Sequence, residues 1–129
     1  MYAIEADAAK TLIVISALGD VTAEEVREAA RQVREIVQDF APGFCVLTDF
    51  RWLQKMDPAA ATHVGKIMDA VAEKQVGSVL RVIPDPQKDI GFNILSQFHY
   101  GSKVSVRTFA TLADAVAVMA EPRTNQSTE

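Results

Sequence analysis

The chain has 129 residues, of which 49% are hydrophobic and 23% are charged, and this length and balance are typical of one globular domain. Its thirteen Lys and Arg residues are interspersed with seventeen acidic ones, and the resulting formal net charge of −4 argues against a nucleic-acid-binding surface. Its apolar runs are all shorter than the roughly 20 residues that a membrane-spanning helix needs, so we expect no membrane span.

The N-terminal part of the sequence predicts a β-hairpin. Tyr2, Ile4 and Ala6 alternate with polar or small residues, which is typical of a strand with one buried face. An aliphatic run over residues 12–15, rich in β-branched side chains, predicts a second strand. Because residues 7–10 form a short polar link, we expect the two strands to pair with each other.

The pattern then changes to the period of a helix. Thr22 and Glu25 have the spacing of a capping box, which predicts a helix start at this point. Pro42 cannot continue the helix and disfavours helical geometry at the residue before it. Between these limits the apolar residues recur at spacings of four and three, on one helix face. They are Val26, Ala30, Val33, Val37 and Phe40.

A strand and a second helix follow. Residues 44–50 form an almost continuous apolar run, which is typical of a strand covered on both faces. Asp57 and Pro58 predict the helix start, because Asp is a favourable N-cap and Pro is tolerated at the first helical position. The buried stripe of this helix is predicted to be Ala60, Val64, Ile67 and Val71.

The last third of the chain predicts two further strand–helix pairs. A strand over residues 78–83 is ended by the Pro-Asp-Pro sequence at 84–86. A third helix is predicted despite Gly91, with its apolar residues at Ile90, Ile94, Leu95 and Phe98. Residues 103–109 alternate as a strand, and residues 111–120 predict a final helix.

The order of these elements defines the fold class. Strands that alternate with helical crossovers predict an α/β domain with a mixed, mostly parallel five-stranded sheet. About four helices cover the sheet, and the N-terminal hairpin supplies an antiparallel edge. We expect residues 1–120 to form one domain and residues 121–129 to be a polar C-terminal tail.

The sequence gives little support for a metal site or a nucleophile. His63 and His99 are the only histidines, and neither has a second histidine at helical spacing. Cys45, the only cysteine, lies within an apolar strand, where a thiol is usually inert. No Gly-x-Ser-x-Gly elbow is present. We therefore predict no catalytic residue, no metal and no cofactor.

Two carboxylates near the end of the third strand are the remaining candidates for catalysis. Asp49 lies at the carboxyl end of a central strand, where open α/β sheets tend to bind ligands, and Asp57 follows eight residues later. Arg51 is close enough to pair with Asp49 and to lower its pKa, which is unfavourable for proton transfer. An enzyme based on Asp49 and Asp57 is therefore the least favoured function.

Two segments of the chain carry a family resemblance. The segments "PGFCVLTDFRWLQKMDPAA" and "FATLADAVAVM" resemble those of STAS domains, the fold of anti-anti-sigma factors and of sulfate-transporter tails. The chain resembles more closely the SpoIIAA-like family of small bacterial proteins, with a matching order of elements from Tyr2 to Met119. The resemblance implies a β-α superhelix, a role in binding rather than chemistry, and no cofactor.

The sequence departs from this family at the start of the second helix. Anti-anti-sigma factors carry Asp-Ser-Ser-Gly there, and a kinase phosphorylates one serine to switch partner affinity. Asp57 matches the aspartate, but Pro58, Ala59 and Ala60 follow it, and the nearest hydroxyl is that of Thr62. The resemblance thus implies a docking surface without the phosphorylatable serine.

Two functional hypotheses remain, and the first is protein recognition. A docking loop over residues 52–62, together with the faces of the second and third helices, would bind a protein partner or a second copy as a homodimer. We expect the dimer to bury Trp52 or the third-helix aromatics. The residues assigned to this surface are Asp49, Arg51, Trp52, Met56, Asp57, Pro58 and Thr62.

The second hypothesis is a carrier of a small apolar or lipid-like ligand, by fold-level analogy with CRAL-TRIO domains. Such a carrier needs a pocket of about 300 Å³ or more. Arg51, Arg81 or Lys103 would bind an acidic head group. The pocket residues assigned to it are Met68, Arg81, Phe92, Leu95, Phe98, Tyr100 and Lys103. In either case the acidic N-terminus and the single cysteine predict a cytoplasmic protein.

Overall fold

A computed structural model describes residues 1–9 and 11–121. The elements in chain order are β1 (Tyr2–Asp7), β2 (Leu12–Val21), α1 (Ala23–Ile36), a 3₁₀ turn (Val37–Asp39), β3 (Cys45–Met56), a second 3₁₀ turn (Pro58–Ala60), α2 (Ala61–Glu73), β4 (Ser78–Val82), α3 (Pro86–His99), β5 (Ser105–Phe109) and α4 (Leu112–Met119). Residues 122–129, most of the predicted polar tail, lie outside the described residues.

All five strands belong to one mixed sheet, and their spatial order is the same as their order in the chain. β1 and β2 pair antiparallel, with Ile4 opposite Ile15, which confirms the predicted hairpin. The other three pairings are parallel, so the predicted fold class is confirmed.

The helices divide between the two faces of the sheet. The connections from β2 to β3, from β3 to β4 and from β4 to β5 all lead to the neighbouring strand on the same side. Because such parallel crossovers are right-handed, their helices α1, α2 and α3 all lie on one face of the sheet. The larger core cluster lies under these helices and includes Val33, Phe44 and Val79. A smaller cluster, built around Leu80 and Ala115, lies under α4 on the opposite face.

Local hydrogen bonds explain where the helices begin. The predicted capping box is present: the Glu25 backbone N–H donates to Thr22 Oγ1 at 3.1 Å, and the Thr22 N–H donates to the Glu25 carboxylate at 3.0 Å. Asp57 accepts from the Ala59 N–H at 2.9 Å, so Asp57 is the predicted N-cap, although a 3₁₀ turn precedes α2. The apolar stripe predicted for α1 is buried throughout.

The third helix begins at Pro86, inside the Pro-Asp-Pro segment. The Pro-Asp-Pro segment was expected only to end β4, but Asp85 caps α3 by accepting from the Gln87 N–H at 3.0 Å. Pro86 then occupies the first turn, where its missing N–H costs nothing. The first turn of α3 therefore includes Asp89, which pairs with Arg81 of β4 and so helps to fix the orientation of the helix on the sheet.

We expect Asp57→Ala to lower the free energy of unfolding by about 1 kcal/mol, because the Ala59 N–H loses its acceptor. Asp57→Asn is the matched control, since an asparagine oxygen also caps a helix, and its stability should stay near that of the wild type. Urea denaturation of both variants measures the difference. An unchanged midpoint for Asp57→Ala would show that Asp57 is not acting as a cap.

Candidate functional site

The predicted docking loop over residues 52–62 is wrong in its geometry, because most of the segment is regular structure. β3 continues to Met56, well past its last pairing with β4 at Asp49. It remains a strand there because β2 also extends, and the two pair irregularly up to Val21 and Met56. The 3₁₀ turn and α2 then follow. The sequence prediction stopped the strand at the charged residues and missed this extension.

Asp49 and Arg51 form the ion pair that the sequence predicted. Arg51 Nε and Nη2 donate to the two Asp49 carboxylate oxygens at 3.0 and 2.9 Å, and the Arg51 backbone N–H adds a bond at 3.1 Å. The Arg51 hydrogen bonds hold the pKa of the Asp49 carboxyl below its usual value of 3.8. An ionised carboxylate with both oxygens bonded is poorly suited to proton transfer at neutral pH.

The other residues assigned to the docking surface are used in different ways. Trp52 is 63% exposed, and the Arg51 guanidinium carbon lies 5.7 Å from its ring centroid. Thr62 is exposed near the start of α2. Met56 instead packs against the larger core. Pro58 begins the 3₁₀ turn. The large exposed apolar side chain of this segment is therefore that of Trp52.

An apolar cavity lies between the sheet and α1, α2 and α3. Its volume is about 70 Å³, which is well below the roughly 300 Å³ of a typical ligand pocket. Among the residues assigned to a ligand pocket, those that line it are Met68, Arg81, Phe92 and Tyr100. Its unpredicted lining includes Ala17, Ala29 and Met56, and the small alanine side chains leave part of the space unfilled.

Three residues assigned to the ligand pocket do not line this cavity. Leu95 is partly buried and packs against the larger core. Phe98 is 81% exposed on the outer side of α3, and Lys103 is exposed after that helix. Phe98 therefore lies on the exposed side of α3, as the docking alternative requires, and not in a ligand pocket.

Arg81 is the centre of a buried polar network. Its side chain is 2% exposed, and Nη1 donates to the Asp89 carboxylate at 3.2 Å and to Asn93 Oδ1 at 3.3 Å. Nη2 donates to Ser96 Oγ at 2.7 Å. The Phe92 ring lies 5.5 Å from the guanidinium carbon. With these donors engaged by α3, Arg81 holds the helix to the sheet and is not the predicted anchor for an acidic ligand head.

The network explains an unusual pattern on α3. Its inward side carries the buried polar residues Asp89 and Ser96 beside Phe92 and Leu95, which pack against the larger core, whereas three large apolar side chains lie on its outward side. Ile90 is 59% exposed and Ile94 is 50% exposed, and Phe98 continues the same stripe. The signal that could have revealed this is the spacing of Asp89, Asn93 and Ser96, which places all three on one helix face.

His99, at the end of α3, contacts α2. His99 Nδ1 is 2.7 Å from the Asp69 Oδ1, and its ring lies over Gly65, where a Cβ would be only 2.6 Å from His99 Nε2. Within the part of the chain that the structure describes, no cluster of three or more His, Cys, Asp or Glu side chains could bind a metal ion.

Comparison with solved structures shows a SpoIIAA-like, STAS-type fold. An uncharacterised DUF3478-family protein with a SpoIIAA-like fold from Shewanella loihica has a TM-score of 0.67 at 16% identity, with 93% of each chain covered. The anti-sigma factor antagonist SpoIIAA in its unphosphorylated form has a TM-score of 0.62 at 16% identity, covering 95% of this chain and 100% of that one. An anti-sigma factor antagonist from Mycobacterium paratuberculosis gives 0.59 at 13%, with 94% of each covered.

These similarities establish the fold. The sequence matches no protein-family model and no curated protein. Across residues 1–9 and 11–121, none of the helices has both the length and the apolar character to cross a membrane.

The Asp49–Arg51 pair predicts a pH dependence of stability. Since the pKa of Asp49 is lower in the folded chain, its contribution is present above the unfolded pKa and is lost as the pH falls through the folded pKa. We expect Asp49→Asn to be less stable than the wild type at pH 7, with the difference shrinking below about pH 4. Urea denaturation at several pH values measures this. In an Arg51→Met background the same substitution should show much less pH dependence; an equal dependence would contradict the pairing.

The cavity predicts opposite effects for two neighbouring alanines of α1. Ala29 lines the cavity, whereas Ala30 is buried but does not line it. We expect Ala29→Met to raise the free energy of unfolding by on the order of 1 kcal/mol by filling space. Ala30→Met should lower it by about 1–3 kcal/mol by overpacking. Thermal and urea denaturation of both variants decide the point, and equal destabilisation would show that the cavity is not fillable from α1.

Proposed function

We propose that this chain is a non-enzymatic, STAS-like binding module that recognises a protein partner in the cytoplasm. The observation that carries the proposal is the apolar stripe of Ile90, Ile94 and Phe98 on the outward side of α3, which we call the α3 outer face. Scattered exposed hydrophobic residues are ordinary, but a row at four-residue spacing on one helix is the pattern of a helix that packs against another surface.

The Arg81 network keeps this stripe outside. If α3 rolled to bury Ile90, Ile94 and Phe98, Asp89 and Ser96 would move away from Arg81. Breaking a buried ion pair by removing one partner costs about 3–5 kcal/mol, because the remaining charge is left uncompensated. The apolar stripe can therefore be covered by a partner more readily than by the domain itself.

The alternatives have weaker support. Asp49 and Asp57 are engaged by Arg51 and by a helix N-terminus, which disfavours an acid–base pair. A carrier is supported by the apolar lining of the cavity, but a volume of about 70 Å³ in this conformation is too small for a lipid-like ligand. The helix start at Asp57 supports a module regulated differently from SpoIIAA, since no hydroxyl follows it before Thr62.

In-cell photo-cross-linking tests the proposal. Phe98, at 81% exposure, is replaced by the photoreactive p-benzoylphenylalanine, and the same replacement of Val116, 47% exposed on α4, is the matched control. We expect irradiation of cells that naturally express the gene to give a discrete cross-linked polypeptide from position 98 and not from position 116. Equal products from both positions, or none from position 98, would overturn the proposal.

A further inference from the structure

We infer that the partner on the α3 outer face is a second copy of this chain, bound with its α3 antiparallel to the first about a two-fold axis at Ile94. This inference rests on the proposed function and adds the identity of the partner. A two-fold contact requires a surface that is complementary to itself. The charge, the symmetry and the size of the α3 outer face each bear on this requirement.

The outward side of α3 carries no formal charge. Around the apolar stripe lie Gln87, Gly91 and Gln97, all neutral. The ionisable side chains of the helix all point elsewhere. Lys88 Nζ donates to the Leu53 carbonyl at 2.7 Å, Asp89 pairs with Arg81, and His99 contacts Asp69. Two copies that each carry a net charge of −4 can therefore meet here without opposing like charges.

A charged partner would be matched poorly by the same face. A basic or acidic segment bound over this stripe would lose hydration without gaining an opposite charge from the helix. A second copy brings an identical neutral stripe and has no such cost. Antiparallel helices also place the N-terminal end of each α3 beside the C-terminal end of the other, which their dipoles favour.

The spacing of the stripe suits a two-fold axis. Ile90 and Phe98 lie four residues before and after Ile94, so antiparallel helices centred at Ile94 place Ile90 against Phe98 of the other copy. Ile94 then faces its own symmetry mate. Gly91 lies beside the stripe, and a Cβ at this position would meet nothing within 4 Å of the same chain, so there is room for a second backbone to approach.

The size of the face predicts a weak dimer. α3 has 14 residues, which corresponds to about 21 Å of helix and a projected area on the order of 200 Å² for one helix face. Stable complexes typically bury about 800 Å² on each partner. We therefore expect a concentration-dependent dimer whose dissociation constant is in the micromolar-to-millimolar range, weaker than that of a permanent dimer.

Charged substitutions at Ile94 test whether this residue lies on the two-fold axis of a dimer. Sedimentation velocity of the full chain from about 1 µM to 1 mM should show a monomer–dimer equilibrium. Ile94→Lys and Ile94→Glu should each remain monomeric, because the two-fold axis sets like charges against each other. An equimolar mixture should recover dimers, because Lys then faces Glu. Val116→Lys and Val116→Glu, at an exposed position of α4, are the matched controls and should dimerise like the wild type.

The outcomes separate this inference from the proposed function. Folding of each variant is checked by circular dichroism, and Ile94 is exposed enough for either charge to be solvated. A wild type that stays monomeric, or single variants that dimerise normally, would overturn the inference, as would a mixture that does not recover dimers. If it fails while Phe98 still cross-links to a different polypeptide in cells, the binding module stands with another partner. Failure of both experiments removes both proposals.

Discussion

The position of α3 depends on one buried guanidinium group. In the part of the chain that the structure describes, the buried polar and charged side chains are Arg81, Asp89 and Ser96, and all three belong to one network. A buried charge without partners would be very costly, so the helix that covers β4 must supply acceptors at fixed places. α3 does this with side chains spaced four and three residues apart, and its rotation about its own axis is thereby determined.

Apolar packing alone would not determine the rotation of α3 about its own axis. The cavity lies beneath α3 next to Phe92, so the apolar contacts there are incomplete, although Phe92 stacks on Phe50 with centroids 4.8 Å apart. Buried ion pairs often contribute little net stability compared with apolar replacements, but they make alternative arrangements expensive. The network therefore acts on specificity: it selects the one helix orientation that leaves Ile90, Ile94 and Phe98 outside.

Much of the fold could be predicted from the sequence, because its signals are local. The capping box at Thr22, the stripe of α1 and the N-cap at Asp57 each depend on residues a few positions apart. The failures concern contacts between distant residues. The extension of β3 to Met56 needs β2 as a partner, and the orientation of α3 needs Arg81 from the preceding strand. The Asp49–Arg51 pair was predictable because it spans only two residues.

The start of α2 and the outward side of α3 differ in the apolar area that they expose. At the start of α2, Asp57 is engaged as a cap and the next residues are Pro58, Ala59 and Ala60, which offer neither a hydroxyl nor a large apolar side chain. Among the described residues, three of the exposed large apolar side chains lie on α3, whereas the others, Met1, Trp52 and Val116, lie on separate elements. Because the hydrogen bonds of Arg81 are made within the domain, a partner can cover the outward side of α3 without disturbing the buried charge. Arg81 and its partners therefore act on the outer face of α3 through the orientation of the helix: substitutions of these residues would change which side of α3 faces the solvent, although none of them lies on that face.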